Sequence, residues 1–73
     1  MNAAATLGIL VNDQPYLLAG PPTLGSLLAE LGLAGRRGVA AAVNGEVVPR
    51  DAWESRPLAE RDRVLVIRAT QGG

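Results

Sequence analysis

Near the end of the chain four apolar β-formers stand in a row, Val64-Leu65-Val66-Ile67. Successive side chains of a strand point to opposite faces, so this run is apolar on both. Such a strand belongs in the middle of a sheet, with neighbours on each edge. We therefore expect a central last strand over Arg63 to Ala69, followed by a terminal segment, Thr70-Gln71-Gly72-Gly73. The remaining residues must supply its neighbours.

The earlier residues read as those neighbours. Met1 to Ala5 is a lead-in. Thr6 to Val11 alternates, with Leu7, Ile9 and Val11 on one face. Asn12-Asp13-Gln14-Pro15 is rich in turn formers, and Tyr16 to Ala19 reads as a short returning strand. Gly20-Pro21-Pro22 breaks the pattern. Thr23 then suits a helix N-cap, with Leu24, Leu27, Leu28 and Leu31 on one helical stripe and Ser26 and Glu30 away from it. Gly32 suits a left-handed cap, with Leu33 folding back. Residues 34–38 read as a loop. The small residues of Val39 to Val43 suggest a strand close beneath the helix. Asn44-Gly45 is a strong hairpin signal, because both turn residues need positive φ. Glu46 to Val48 returns, and Pro49, which has no N–H, stops it or marks an edge. Arg50 to Asp62 reads as a polar connection in which Trp53 and Leu58 fold inward as a lid. The order β-β-α-β-β-β predicts an α+β fold. Its mixed sheet carries one helix on one face, and its first and last strands run parallel in the middle.

Composition removes several kinds of chemistry. At 73 residues the chain is one domain, expected to span 1–73 with a tail from about residue 69. A chain this short buries only about 60% of its unfolded surface, and a core here must be aliphatic, since Tyr16 and Trp53 are its aromatic residues. It holds no Cys and no His, so thiol nucleophiles, imidazole bases, disulfides and the usual zinc ligands are excluded. Seven arginines balance seven acidic residues, which argues against nucleic acid or an anionic membrane as partner. No apolar run reaches the ~20 residues of a membrane span, and M-N-A-A-A-T lacks the features of a secretory signal. A cytoplasmic location is the simplest expectation.

Most charged residues read as surface. Arg36-Arg37 reads as a solvated loop, and Glu60 and Asp62 as solvating a turn rather than as a catalytic pair. Arg68 either pairs with acidic groups on a partner or is a solvated strand end. One helix covers one face of a mixed sheet, so the other face is expected to expose apolar residues. Leu7 or Leu10, with Leu65 or Ile67, would form that patch, and the sequence does not fix the parity.

Several stretches together are similar to one known family. They are V-N-D at Val11 to Asp13, T-L-x-x-L-L at Thr23 to Leu28 and A-V-N-G-E-V-V-P-R at Ala42 to Arg50. Trp53, Pro57-Leu58, D-R-V at Asp62 to Val64 and Gly72-Gly73 follow. The chain thereby resembles the ubiquitin-like β-grasp sulfur carriers, and most closely the ThiS family of bacterial thiamine biosynthesis. One departure is Glu60-Arg61-Asp62, where the family often places a glycine between two acidic residues.

The resemblance implies a working cycle. A ubiquitin-activating-type adenylating enzyme would use ATP and Mg²⁺ to adenylate the Gly73 carboxylate. Sulfur from a donor protein would replace AMP, and a thiazole synthase would take it from the resulting thiocarboxylate. The chain would be a protein co-substrate, not an enzyme, and would bind no cofactor itself. Gly73 would be the reacting residue and Gly72 would give clearance in a narrow passage. Leu65, Ile67, Arg68, Thr70 and Gln71 would face the partners. Five residues beyond Arg68, fully extended at about 3.3–3.6 Å each, reach roughly 17 Å. Two alternatives stand beside this reading: the small subunit of molybdopterin synthase, which also ends in Gly-Gly, and a β-grasp interaction module with an inert tail.

Overall fold

A computed structural model describes residues 6–69. β1 (Leu7–Val11) and β2 (Gln14–Leu18) form a hairpin, followed by α1 (Leu24–Glu30). A second hairpin joins β3 (Val39–Val43) to β4 (Glu46–Val48), and β5 (Arg63–Arg68) closes the fold. The five strands form one sheet in the order β2-β1-β5-β3-β4. β5 is central, parallel to β1 and antiparallel to β3. This is the mixed sheet with one helix expected from the sequence.

Both hairpins use two-residue turns. Asn12 and Asp13 have φ of 51° and 68°, and Asn44 and Gly45 have 51° and 86°. Positive φ at both positions matches the right-handed twist of the flanking strands. The first turn is tighter than expected. β2 starts at Gln14 rather than Tyr16 and ends at Leu18, so Gln14 and Pro15 are strand residues, not turn residues. Proline is tolerated there because β2 is an edge strand and its missing N–H faces no neighbour.

The helix is short but well terminated. Thr23 Oγ1 accepts a hydrogen bond from Ser26 N–H at 3.1 Å, and Gly32 stands at φ 77° just past the end. Leu33 N–H donates to Leu28 O at 2.8 Å and Gly32 N–H to Ala29 O at 3.0 Å, the paired bonds of a Schellman cap. Seven residues of helix do not persist alone in water. Leu24, Leu27 and Leu28 are fully buried, and at about 1.5–3 kcal/mol each their burial, not helix propensity, holds α1 on the sheet. Ile9, Leu18, Ala41, Val43 and Val64 meet them from the strands.

The small residues of β3 divide between faces. Ala41 lies under the helix, as expected, whereas Ala40 and Ala42 point to the opposite face beside Ile67 and Leu65. The connection to β5 also differs from expectation, because it contains a 3₁₀ helix, Arg50–Ser55, that begins after Pro49. This turn carries Trp53 into the core, where its indole N–H donates to Val48 O at 2.9 Å. A buried indole requires such a partner. Leu58 is buried beside it, so the expected lid forms.

Two local features generate tests. Arg61 sits at φ 70°, where a side chain costs about 1–2 kcal/mol. Replacing it with glycine relieves that cost but adds unfolded-state entropy of about 0.5–1 kcal/mol. Arg61→Gly is expected to stabilise the fold by up to about 1 kcal/mol. That raises Tm by about 4–8 °C per kcal/mol, measurable by thermal denaturation.

The second feature is the Glu30 carboxylate, which ties the β2–α1 corner. It accepts from Tyr16 Oη at 2.7 Å, from Gly20 N–H at 2.7 Å and from Ala19 N–H at 3.2 Å. The Tyr16 hydroxyl first, then the Gly20 amide, lower the Glu30 pKa, and the same carboxylate raises that of Tyr16. A lowered carboxylate pKa stabilises the fold above the ordinary value of 4.5, and that contribution is lost as pH falls through the folded-state value. The raised tyrosine contributes below 10.0 and loses its share as pH rises through its folded-state value. In urea titrations across pH, wild type is expected to be more stable than Glu30→Gln near neutrality, with the gap closing below pH 4.5. A gap unchanged at low pH contradicts this.

Candidate functional site

β5 carries the chain toward its terminal residues and is fastened from both sides. Asn12 N–H donates to Val64 O at 2.8 Å. The Asn12 side chain then takes the next place on the ladder: Nδ2 donates to Val66 O at 3.1 Å, and Oδ1 accepts from Val66 N–H at 2.8 Å. On the other edge Asn44 Oδ1 accepts from Arg63 N–H at 2.9 Å, and Asn44 N–H donates to Arg63 O at 2.7 Å. Each asparagine is also the first residue of a hairpin turn. Asparagine tolerates positive φ better than other side chains that could bind the neighbouring strand. The sequence reading treated Asn44 as turn chemistry alone and missed this second role for both residues.

The same economy fixes the start of β5. Asp62 accepts from Asn44 Nδ2 at 3.0 Å and from Ala59 N–H at 2.8 Å, while Glu60 Oε1 accepts from Gly8 N–H at 3.2 Å. Asp62 thus holds the turn before the strand and Glu60 ties it to β1, so both carboxylates bind protein groups where the sequence suggested that they only solvate a turn. At the far end Ala69 N–H donates to Gly38 O at 2.7 Å, continuing the β3–β5 ladder past Arg68. Gly38 has φ 74°, and a Cβ there would lie 3.2 Å from the Ala69 Cβ. Glycine at this position therefore lets Ala69 pair closely with the start of β3.

The two faces of β5 differ sharply. Val64 is buried and Val66 half-buried under the helix, whereas Leu65 and Ile67 are 50% and 55% exposed. Leu17 and Val47 share the outer face at 68% and 73% exposure. The parity left open by the sequence is thus resolved. Leu10, half-buried, belongs to the outer face, whereas Leu7 packs against the core. Val47, Ala42 and Leu65 run across the sheet in register, and the two outer alanines leave their larger neighbours standing proud. The sequence reading did not single out Leu17 or Val47, although the hairpin alternation places both on this face.

Leu65 and Ile67 therefore stand together, while Arg68 points to the other side, at the end of β5 near Leu31 and Leu33. Thr70, Gln71, Gly72 and Gly73 lie outside the described residues. Among the described residues no cluster of three or more His, Cys, Asp or Glu stands together to hold a metal ion. No described helix is long and apolar enough to cross a membrane.

Known proteins share this arrangement. The sulfur carrier protein ThiS of Escherichia coli (strain K12) is 34% identical over 65 residues, covering 89% of this chain and 97% of the relative. The crystal structure of the thiamine biosynthesis protein ThiS from Geobacter metallireducens superposes with a TM-score of 0.73 at 28% identity, over 92% of this chain and all of the other. Its solution structure gives the same TM-score over 88% of that chain. The family model matches residues 9–73, a span that takes in both hairpins, the helix, the whole of β5 and the terminal Gly72-Gly73. The chain belongs to the ThiS family.

Proposed function

We propose that the protein is a sulfur carrier in thiamine biosynthesis that works through its Gly73 carboxylate. The observation that carries this reading is the reach of the family match, which spans the folded body and continues through Gly73. The described body supplies what such a carrier needs, a strand whose position is fixed by ladders and asparagine side chains on both edges.

The chemistry follows from the weakness of a carboxylate as an electrophile. In the proposed cycle an adenylating enzyme binds ATP and Mg²⁺, and the Gly73 carboxylate attacks the α-phosphorus with loss of pyrophosphate. The acyl carbon now bears a good leaving group. Sulfide-level sulfur, HS⁻ released by a sulfur donor protein, attacks it, the acyl–oxygen bond to AMP breaks, and after loss of a proton a thiocarboxylate remains. A thiazole synthase then accepts the sulfur. The acid–base groups and the nucleotide site belong to the partners, so the chain itself acts as a co-substrate. Gly72 gives the reacting end clearance, since a residue without a side chain fits a narrow passage. Thr70 and Gln71 are the partner-contacting residues of this reading, and five residues beyond Arg68 would reach roughly 17 Å if fully extended at about 3.3–3.6 Å each.

Leu65 and Ile67 form the docking face in this proposal. An exposed apolar surface on one side of a sheet is a poor fit to water and a good fit to a partner. Their alternation with buried Val64 lets the same strand anchor the core and present the interface.

Incubation with the adenylating enzyme of the same organism, ATP and a sulfur source tests the cycle. Intact-mass analysis is expected to show one oxygen exchanged for sulfur at the C-terminus. An unchanged mass, with the enzyme active on another carrier, refutes the cycle. For the docking face, Leu65→Glu is expected to weaken binding to the adenylating enzyme by about ten-fold or more, the scale of an interface anchor. Its far-ultraviolet circular dichroism should remain that of the wild type, because Leu65 is outside the core. Unchanged affinity in titration removes Leu65 from the interface.

A further inference from the structure

A polar cleft lies at the root of the terminal segment, on the helix side of β5. Arg36, Arg37 and Arg68 line it with Asn12, Val66 and Ala69, the last described residue. No Asp or Glu lines it. Asp13, next to Asn12 in the chain, lines a separate cleft with Leu65. Among the described residues the ion pair present is Arg56–Glu46, at 3.4 Å, so none of the three cleft arginines is neutralised by a described carboxylate. The whole chain is electrically neutral, which makes this concentration of positive charge local.

The loop that brings Arg36 and Arg37 there is held in place. Arg50 donates to Ala34 O at 2.9 Å and to Arg36 O, while its guanidinium lies 4.6 Å from the Trp53 ring centroid. Arg36 N–H donates to Leu33 O at 3.1 Å, and Gly38 O accepts from Ala69. The hydrogen bonds among these contacts all use the loop backbone. The side chains of Arg36 and Arg37 are left exposed beside Arg68. Two residues that read as a solvated loop in the sequence thus join a third from the far end of the chain.

We propose that this arginine cleft is a docking clasp for an acidic rim on the adenylating partner. The inference rests on the carrier reading. Gly73 is only four positions beyond Ala69, about 14 Å at full extension, so the protein that receives the terminal carboxylate must pass close to the cleft. A site that binds ATP phosphates together with a carboxylate is itself cationic. An arginine-rich root approaching it is repelled unless the surface around the opening is acidic. Exposed ion pairs are individually weak, so the clasp acts chiefly by steering encounter and by rejecting wrongly charged surfaces.

The test measures association with the adenylating enzyme of the same organism, at low and high salt, for wild type, Arg36→Gln/Arg37→Gln and Arg36→Lys/Arg37→Lys. The glutamine pair is expected to associate about ten-fold more slowly at low salt, with a flatter dependence on salt, and the lysine pair to keep the wild-type rate. Because the loop is held through its backbone, both pairs retain the fold. A glutamine pair with the wild-type rate and salt slope overturns the clasp. So does a lysine pair as slow as the glutamine pair, or a defect confined to sulfur delivery to the thiazole synthase. A wild-type chain that is not adenylated at all overturns the carrier reading, and the clasp with it.

Discussion

Everything in this fold depends on how β5 is gripped. A six-residue strand at the end of a small domain is easily frayed, yet here it lies at the centre of the sheet. Its parallel ladder to β1 is short, with register partners only at Arg63 and Val64. The Asn12 side chain extends that ladder to Val66 by supplying both a donor and an acceptor. Asn44 does the corresponding work at Arg63. Two turn residues thereby hold a strand more than eighteen residues away in sequence, and the hairpins and the central strand cannot loosen independently.

That grip leaves each side of β5 free for a separate purpose. Under the helix, Val64 joins the leucines of α1, and burial of those side chains gives the domain its stability. Above it, the chain places Ala40 and Ala42 against Ile67 and Leu65, so the outer face has apolar relief rather than a flat wall. Beyond Arg68, Ala69, the last described residue, bonds to Gly38, whose positive φ and missing Cβ leave room for it. The body thus presents an apolar face, a basic cleft and the start of the terminal segment around a single strand end.

Much of this was legible in the residues because it is local. The V-L-V-I run announced a central strand, the leucine spacing announced α1, and Gly32 announced its cap. Asn44-Gly45 announced the second hairpin. What escaped was non-local or depended on geometry that spacing does not encode. Pro15 argued against a strand until its edge location was known. The 3₁₀ helix over Arg50–Ser55 has no apolar period, because only Trp53 of its six residues is buried. The face taken by Ala40 and Ala42 follows from register with β5. The meeting of Arg36 and Arg37 with Arg68 depends on Arg50 tying a loop that precedes it by fourteen residues. For the proposed reacting end, the residues from Thr70 to Gly73 are read from the sequence and the family match, and they lie outside the described residues.

The central claim is that the reactive group of this protein is its own terminal carboxylate, carried on a rigid body. The most direct measurement adds one alanine after Gly73. Sulfur transfer is then followed by intact mass in the presence of the adenylating enzyme, ATP and a sulfur source. The account predicts unaltered circular dichroism and thermal unfolding together with no thiocarboxylate. An extended chain that remains unprocessed and still delivers sulfur to thiazole formation contradicts it.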